Sequence, residues 1–284
     1  VSERPSWAHF QERLREAGFR PARRLGQNFL LDENMLQAIA RDARVARGET
    51  VLEVGPGLGF LTRHLLECGA ELVCAEIDER LLAIAQSWLP GPRWVLGDVL
   101  AGKHALAPAV ASALPRNSHW QLVSNLPYSV AAPLLAVLAD LEHPPRGMTV
   151  LVQREVAERI AARPATSEWG LLSIALQSAY AVELLRHVPP QLFWPRPEVE
   201  SSVVRLTLAR PGIDPGRRRE LLTLAGRLFQ RRRQTLGRVL GELWGRETAL
   251  GRLAALGWPA SRRAEELDLA QLLELSATPV PPAG

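Results

Sequence analysis

Five short apolar runs pace the first half of the chain, and a helix-like pattern separates each run from the next. They are TVLEVG (50–55), ELVCAEID (71–78), RWVLGD (93–98), WQLVSN (120–125) and MTVLVQ (148–153). Strands interleaved with helices give the βαβ rhythm of a mostly parallel sheet covered on both faces. Two further runs, VELLRHV (182–188) and SSVVRLTL (201–208), lie too close together for another crossover and predict an antiparallel edge. A Pro/Gly-rich stretch, RPGIDPGRRRE (210–220), follows, and beyond it only leucine-rich helical patterns remain. The expected architecture is an α/β domain over residues 1–210, Rossmann-like with a seven-stranded sheet, and a small all-α domain over 211–284. Residues 1–24 form a helical and basic extension of the first domain, with Trp7, Phe10, Leu14 and Ala17 along one helix side.

Charge follows the same division. Residues 1–210 carry 22 basic and 22 acidic side chains, whereas 211–284 carry 12 against 8, so the whole surplus of +4 lies in the second domain. No apolar run is long enough for a membrane span, and residues 1–19 lack the apolar block of a secretory signal. Cys68 and Cys74 have no metal-ligand spacing, no metal is expected, and a reducing cytoplasm is the simple inference.

The first chemical signal is EVGPGLGFLT (53–62), at the passage from the first strand into a helix. Gly55, Gly57 and Gly59 let the backbone turn sharply and approach a ligand. Glu76 closes the second strand, 21 residues after Gly55, where a carboxylate accepts from ribose hydroxyls. Asp98 closes the third strand at the same carboxyl edge. Each alone has a bland reading, Asp98 as a turn residue and Glu76 as a solvated strand end. Three in order after three successive strands predict a cofactor carrying adenosine. The loop has no phosphate-gripping lysine, which disfavours a nucleoside triphosphate. A nicotinamide dinucleotide and S-adenosylmethionine both remain open at this point.

The second signal is NLPY (125–128) at the end of the fourth strand. Read alone it is an ordinary strand-to-helix turn. Beside a methyl-donor cleft it has a use. The amino group of adenine is a poor nucleophile because its lone pair is delocalised into the ring. Acceptors aimed at its hydrogens, the Asn125 side-chain carbonyl and the Leu126 backbone carbonyl, draw it toward a tetrahedral nitrogen. Pro127 stiffens the turn that aims them, and Tyr128 can stack on the base with its hydroxyl left in water. This is catalysis by positioning and electrostatics, with no strong base.

NLPY, together with EVGPGLG, AEID and GDVL, resembles the adenine-amino methyltransferases acting on ribosomal RNA. LGQNFLLDENML (25–36) and VPPQLFWPRPEVESSVVRL (188–206) are similar to the entry and late motifs of the rRNA adenine dimethyltransferases, and LFQRRRQTLGRVL (228–240) and RRAEELDLAQLLEL (262–275) to their tail helices. The match runs over about residues 20–276 with the motifs in family order, and it is nearest to the small-subunit branch. The resemblance implies a class I methyltransferase fold and S-adenosylmethionine as cofactor. It implies Gln27 and Asn28 near the methionine end, Gly55 and Gly57 at the methionyl part and ribose, Glu76 at the ribose hydroxyls and Asp98 at the adenine amine. Asn125 would hold the target amine, adjoining the cofactor, and Tyr128 and Phe193 would sandwich the target base.

The implied reaction is N6,N6-dimethylation of two adjacent adenosines in a 3′-terminal hairpin loop of 16S rRNA, within a small ribosomal subunit or its precursor; nothing in the sequence demands more than a monomer. Alternatives are a 23S rRNA dimethyltransferase of the macrolide-resistance type and an assembly factor acting mainly by binding. Arg20, Arg23 and Arg24 beside the site, and Arg217, Arg218, Arg231, Arg232 and Arg233 in the tail, are the candidate RNA-phosphate contacts, against the bland reading of solvated helix faces. Two departures from the family pattern are Trp194, where a smaller residue is expected, and Gly237, inside a basic helix.

Overall fold

The computed structural model describes residues 4–21, 27–102, 105–117, 119–209 and 212–277. Among them the chain forms two compact units. The first comprises the chain up to Ala157 together with Ala181–Leu208. It opens with helix α1 (Trp7–Glu16), whose Phe10 and Leu14 are buried, and the short strand β1 (Phe29–Leu30). Helix α2 (Glu33–Asp42) begins where Asp32 caps it by accepting the Met35 N–H at 2.8 Å. The βα alternation then runs β2 (Thr50–Val54), α3 (Phe60–Glu67), β3 (Glu71–Glu76), α4 (Glu79–Trp88), β4 (Arg93–Leu96), α5 (Pro108–Ala111), β5 (Trp120–Asn125), α6 (Ala131–Ala139) and β6 (Gly147–Gln153). After α7 (Arg154–Ile160) and α8 (Leu171–Gln177) come β7 (Tyr180–Val188), β8 (Phe193–Trp194) and β9 (Ser201–Leu208).

Seven strands form one sheet in the order β4-β3-β2-β5-β6-β9-β7. The first five are mutually parallel, and β9 runs antiparallel to β6 from Gly147↔Thr207 to Gln153↔Ser201. The central strands β2, β3, β5 and β6 are buried almost throughout, as expected when helices cover both faces, whereas the edge strand β4 is not. The seven apolar runs of the sequence are these seven strands. The sequence gives no warning of the separate antiparallel pair β1–β8, which joins Phe29 to Trp194 and Leu30 to Phe193.

The second unit comprises Glu158–Tyr180 and the chain from Ala209 onward. It holds α8 and, after Ala209, the helices α9 (Pro215–Phe229), α10 (Leu236–Trp244), α11 (Arg246–Ala255) and α12 (Leu269–Ser276). Residues 158–180 thus group with the C-terminal helices rather than with the sheet, which differs from a boundary at residue 210. The reason is packing: Trp169 and Ile174 share a buried cluster with Leu221, Leu228, Leu240 and Leu272, and the Trp169 indole donates to the Leu267 carbonyl at 3.1 Å. Asp214 caps α9, so the arginines 217–219 of the Pro/Gly-rich stretch lie in the first turns of a helix.

Gly237 also finds its reason here. A Cβ at that position would lie 2.8 Å from the Ala260 Cβ and 3.1 Å from the Ala260 carbonyl, to which the Gly237 N–H itself donates at 2.9 Å. Gly237→Ala therefore overpacks a backbone contact and should cost about 1–3 kcal/mol. Gly226→Ala in α9 meets nothing within 4 Å and should be neutral or stabilising by about 0.5–1 kcal/mol. Thermal melts of the two variants check the contrast in sign.

Candidate active site

The site lies where the strand order turns back on itself. β2 has β3 on one side and β5 on the other, the switch point at which open α/β sheets bind ligands beyond the strands' carboxyl ends. The β2–β5 ladder is registered from Thr50↔Trp120 to Leu52↔Leu122. Beyond it the Val54 carbonyl is taken by the buried Ser124 hydroxyl at 2.6 Å. The strand ends are thereby held together without further ladder bonds, and a cavity of about 330 Å³ opens above them.

Five segments wall this cavity, the entry segment and the ends of β2, β3, β4 and β5, and each is tied to another, the end of β4 by the Gly97 N–H donating to the Glu76 carbonyl at 2.8 Å. The Gly57 N–H donates to Glu76 Oε2 at 3.0 Å, which joins the glycine loop to the end of β3. Glu76 Oε1 accepts from the Ile77 and Asp78 N–H groups at 2.9 and 3.0 Å. Burial raises the Glu76 carboxyl above its ordinary pKa, and these three N–H donors work against that rise. At Gly55 a Cβ would lie 2.8 Å from Pro127 Cγ, and at Gly57 one would lie 2.7 Å from the Phe29 ring. Both glycines have positive φ, 66° and 58°, so the close approach and the backbone conformation each require them.

The Asn125 amide donates to the Asn28 backbone carbonyl at 3.0 Å, which leaves its Oδ1 as a fixed acceptor at the cavity wall. Leu126 is anchored where β5 ends by donating its N–H to the Leu151 carbonyl at 3.0 Å. Gln27, Asn28, Gly55, Gly57, Glu76, Asp98, Asn125, Leu126, Pro127 and Tyr128, all expected from the sequence, line this one cavity. Asp98 also accepts from the Leu100 N–H at 2.9 Å, so it is a turn residue as well as a wall.

Two expectations at the cavity change. The Tyr128 hydroxyl is not left in water: it bonds to the buried Ser201 hydroxyl at 2.7 Å, and burial raises its pKa. Phe193 does not line the cavity. It is 5% exposed on β8, within the buried cluster that includes Phe29 and Leu30. Trp194 beside it stacks on Phe29, with centroids 6.0 Å apart and planes at 15°, which gives its larger ring a place.

The arginines divide by commitment. Arg218 is buried, donating to Ser178 Oγ at 3.1 Å and the Ala175 carbonyl at 2.9 Å, so it braces α8 against α9 and is not available to a phosphate. Arg232 is held by Glu265 and the Ser167 carbonyl, both at 2.9 Å. Arg231 pairs with Glu242. Arg20, Arg217 and Arg233 are exposed, and Arg23 and Arg24 lie outside the described residues.

Glu53 is a site residue that the sequence motifs do not single out. It lines the cavity at 2% exposure, with the Cys74 thiol 3.8 Å away, and burial pushes its carboxyl up to about 8. The available signal is an acidic residue inside an otherwise apolar strand, where a charge is costly. Ser124 and Ser201 carry no comparable sequence signal. Because the folded pKa of Glu53 exceeds its unfolded value of 4.5, its contribution to stability is fully present below 4.5 and is lost as pH rises through about 8. Glu53→Gln removes that dependence, so the melting temperature of the variant relative to the parent should rise between pH 5 and pH 9. A flat difference would contradict a neutral buried carboxyl.

The ribosomal RNA adenine dimethylase family model matches residues 18–275. The chain is 40% identical over 272 residues to ribosomal RNA small subunit methyltransferase A of Leifsonia xyli subsp. xyli, covering 92% of this chain and 93% of that one. It is 37% identical to the protein of the same description from Thiobacillus denitrificans, with 90% and 97% covered. A dimethyladenosine transferase from Plasmodium falciparum superposes with a TM-score of 0.73 at 22% identity, over 87% of this chain and 95% of that one. The 23S rRNA methyltransferase ErmE superposes at 0.66 and 23% identity, over 87% and 98%. Both structures share the fold, and the sequence relation settles the family: the chain belongs to the ribosomal RNA adenine dimethylases.

Proposed function

We propose that the chain transfers methyl groups from S-adenosylmethionine to the exocyclic N6 of two adjacent adenosines in a 3′-terminal hairpin loop of 16S rRNA, giving N6,N6-dimethyladenosine. The observation that carries this reading is the Asn125 amide, fixed by the Asn28 carbonyl at 3.0 Å on the wall of the cavity that Gly57 and Glu76 also line. Small-subunit RNA is favoured over the 23S alternative by the relatives at 36–40% identity, which are small-subunit methyltransferases by name.

The cavity fits the cofactor. It is of small-ligand size, Gly55 and Gly57 leave no room for a Cβ, and Glu76 retains acceptor capacity beyond its three backbone donors. Glu76 would hold the ribose hydroxyls, Asp98 the adenine amine, and Gln27 and Asn28 the methionine end. When bound, S-adenosylmethionine supplies a methyl group on a sulfonium.

The chain's own residues do the rest. Asn125 Oδ1 and the Leu126 carbonyl accept from the target amine and raise the electron density on its nitrogen. Pro127, packed on Gly55, fixes the turn that aims them. The Tyr128 ring, held at its far end by Ser201, stacks on the base. An adenine must leave its stack to reach this wall, which suits a hairpin loop. The exposed Arg217, Arg219 and Arg233 are assigned to the phosphates, together with the exposed Arg20. The enzyme would work as a cytoplasmic monomer on a small subunit or its precursor, with a role in small-subunit biogenesis.

Asn125→Ala should still bind S-adenosylhomocysteine yet lower kcat for transfer to unmethylated small subunits on the order of a hundredfold. Near-normal turnover would remove Asn125 from the mechanism. Arg217, Arg219 and Arg233 changed together to Gln should weaken RNA binding and flatten its salt dependence by about 0.7–0.9 for each phosphate no longer neutralised. Arg218→Ala should instead lower the melting temperature, and a pure RNA-binding defect in that variant would contradict its assignment as a brace.

A further inference from the structure

Helix α1 precedes the residues that the family model covers, and no motif of the sequence assigns it a task. Its packing is nonetheless concentrated on side chains that form or hold the cavity wall. Phe10, 1% exposed, meets the Phe60 ring edge to face at 5.0 Å and 80°. Trp7 approaches the same ring at 6.4 Å, and the Arg4 guanidinium lies 4.1 Å from its centroid. Phe60 is a lining residue of the cavity, at the start of α3 directly after the glycine loop.

Two further lines of packing leave α1. Trp7 meets Trp194 at 5.2 Å, and Trp194 stacks on Phe29, the ring that fills the space where a Gly57 Cβ would sit. Phe10 meets Trp88 at 5.5 Å, and the Trp88 indole donates to the Leu58 carbonyl inside the glycine loop at 3.0 Å. Arg4 is itself fixed by Glu33 at 2.7 Å, at the start of α2. Three separate walls, the Phe60 ring, the Phe29 ring and the glycine-loop backbone, are therefore backed by one helix.

We propose that α1 is a working part of the cofactor site, with Trp7 and Phe10 as positioning residues that set affinity for the S-adenosyl ligand. The proposal rests on the cavity being the cofactor site. Glycines at positive φ give the loop its close approach but not its rigidity, because glycine restricts the backbone least. Rigidity has to come from the side chains packed against the loop, and the aromatic residues of α1 provide it. Loosening them lets Phe60, Phe29 and Leu58 relax, so the ligand must bear the cost of ordering them when it binds.

The test is calorimetry with S-adenosylhomocysteine on the full chain, well below the melting transition. Trp7→Leu and Phe10→Leu should each raise Kd about three- to tenfold, the range expected for removing an aromatic pair. Gly237→Ala is the control, an overpacking change in the second unit at a residue that does not line the cavity, and it should lower the melting temperature while leaving Kd unchanged. Parental Kd in Trp7→Leu and Phe10→Leu would overturn the proposal. Equal weakening in Gly237→Ala would also overturn it, since the effect would then follow general stability. If the parent chain itself fails to bind S-adenosylhomocysteine, the cofactor reading falls first and α1 with it.

Discussion

The β2–β5 ladder stops at Leu52↔Leu122, and the site depends on that stop. Parallel strands that kept their register to the end would close the sheet over the place where the glycine loop and NLPY must face each other. The Ser124 hydroxyl takes the Val54 carbonyl and so satisfies a buried acceptor that the ladder no longer reaches. A side chain substituting for a ladder bond lets the strands part without leaving an unpaired polar group in the core.

From this opening the remaining interactions follow as mutual constraints. Glu76 binds the Gly57 N–H, Pro127 fills the space beside Gly55, Phe29 fills the space beside Gly57, and the Asn28 carbonyl holds Asn125. The entry segment that carries Gln27 and Asn28 is thus connected to both the glycine loop and NLPY. It is also anchored through the β1–β8 pair, which brings the late motif around residue 193 to the entry motif around residue 29. The residues proposed for binding and for transfer are thus tied into one frame, as catalysis by positioning requires.

Much of this is legible in the sequence because it is periodic or local. The strands are legible as apolar runs, and the glycine loop, Glu76 and Asp98 follow from their places at strand ends. What is not legible depends on partners distant in the chain. β1 and β8 hold two residues each, too few for a pattern, and exist only because they pair. Arg218 reads as one of three equivalent arginines, yet it lies three residues before Leu221 and seven before Ala225, on the buried face of α9. Its helix phase is available in the sequence, but the acceptors Ser178 and Ala175, forty or so residues earlier, are not. Residues 158–180 leave the first unit for the same reason, since Trp169 finds its partners in the C-terminal helices.

The central claim is that this one cleft brings S-adenosylmethionine to an adenine amine of small-subunit RNA. The most direct measurement is methyl transfer from labelled S-adenosylmethionine to unmethylated small and large ribosomal subunits in parallel, followed by nucleoside analysis of each RNA. The account predicts N6,N6-dimethyladenosine in small-subunit RNA and none in large-subunit RNA. Label confined to large-subunit RNA, or no transfer to either by a chain that binds cofactor, would contradict it.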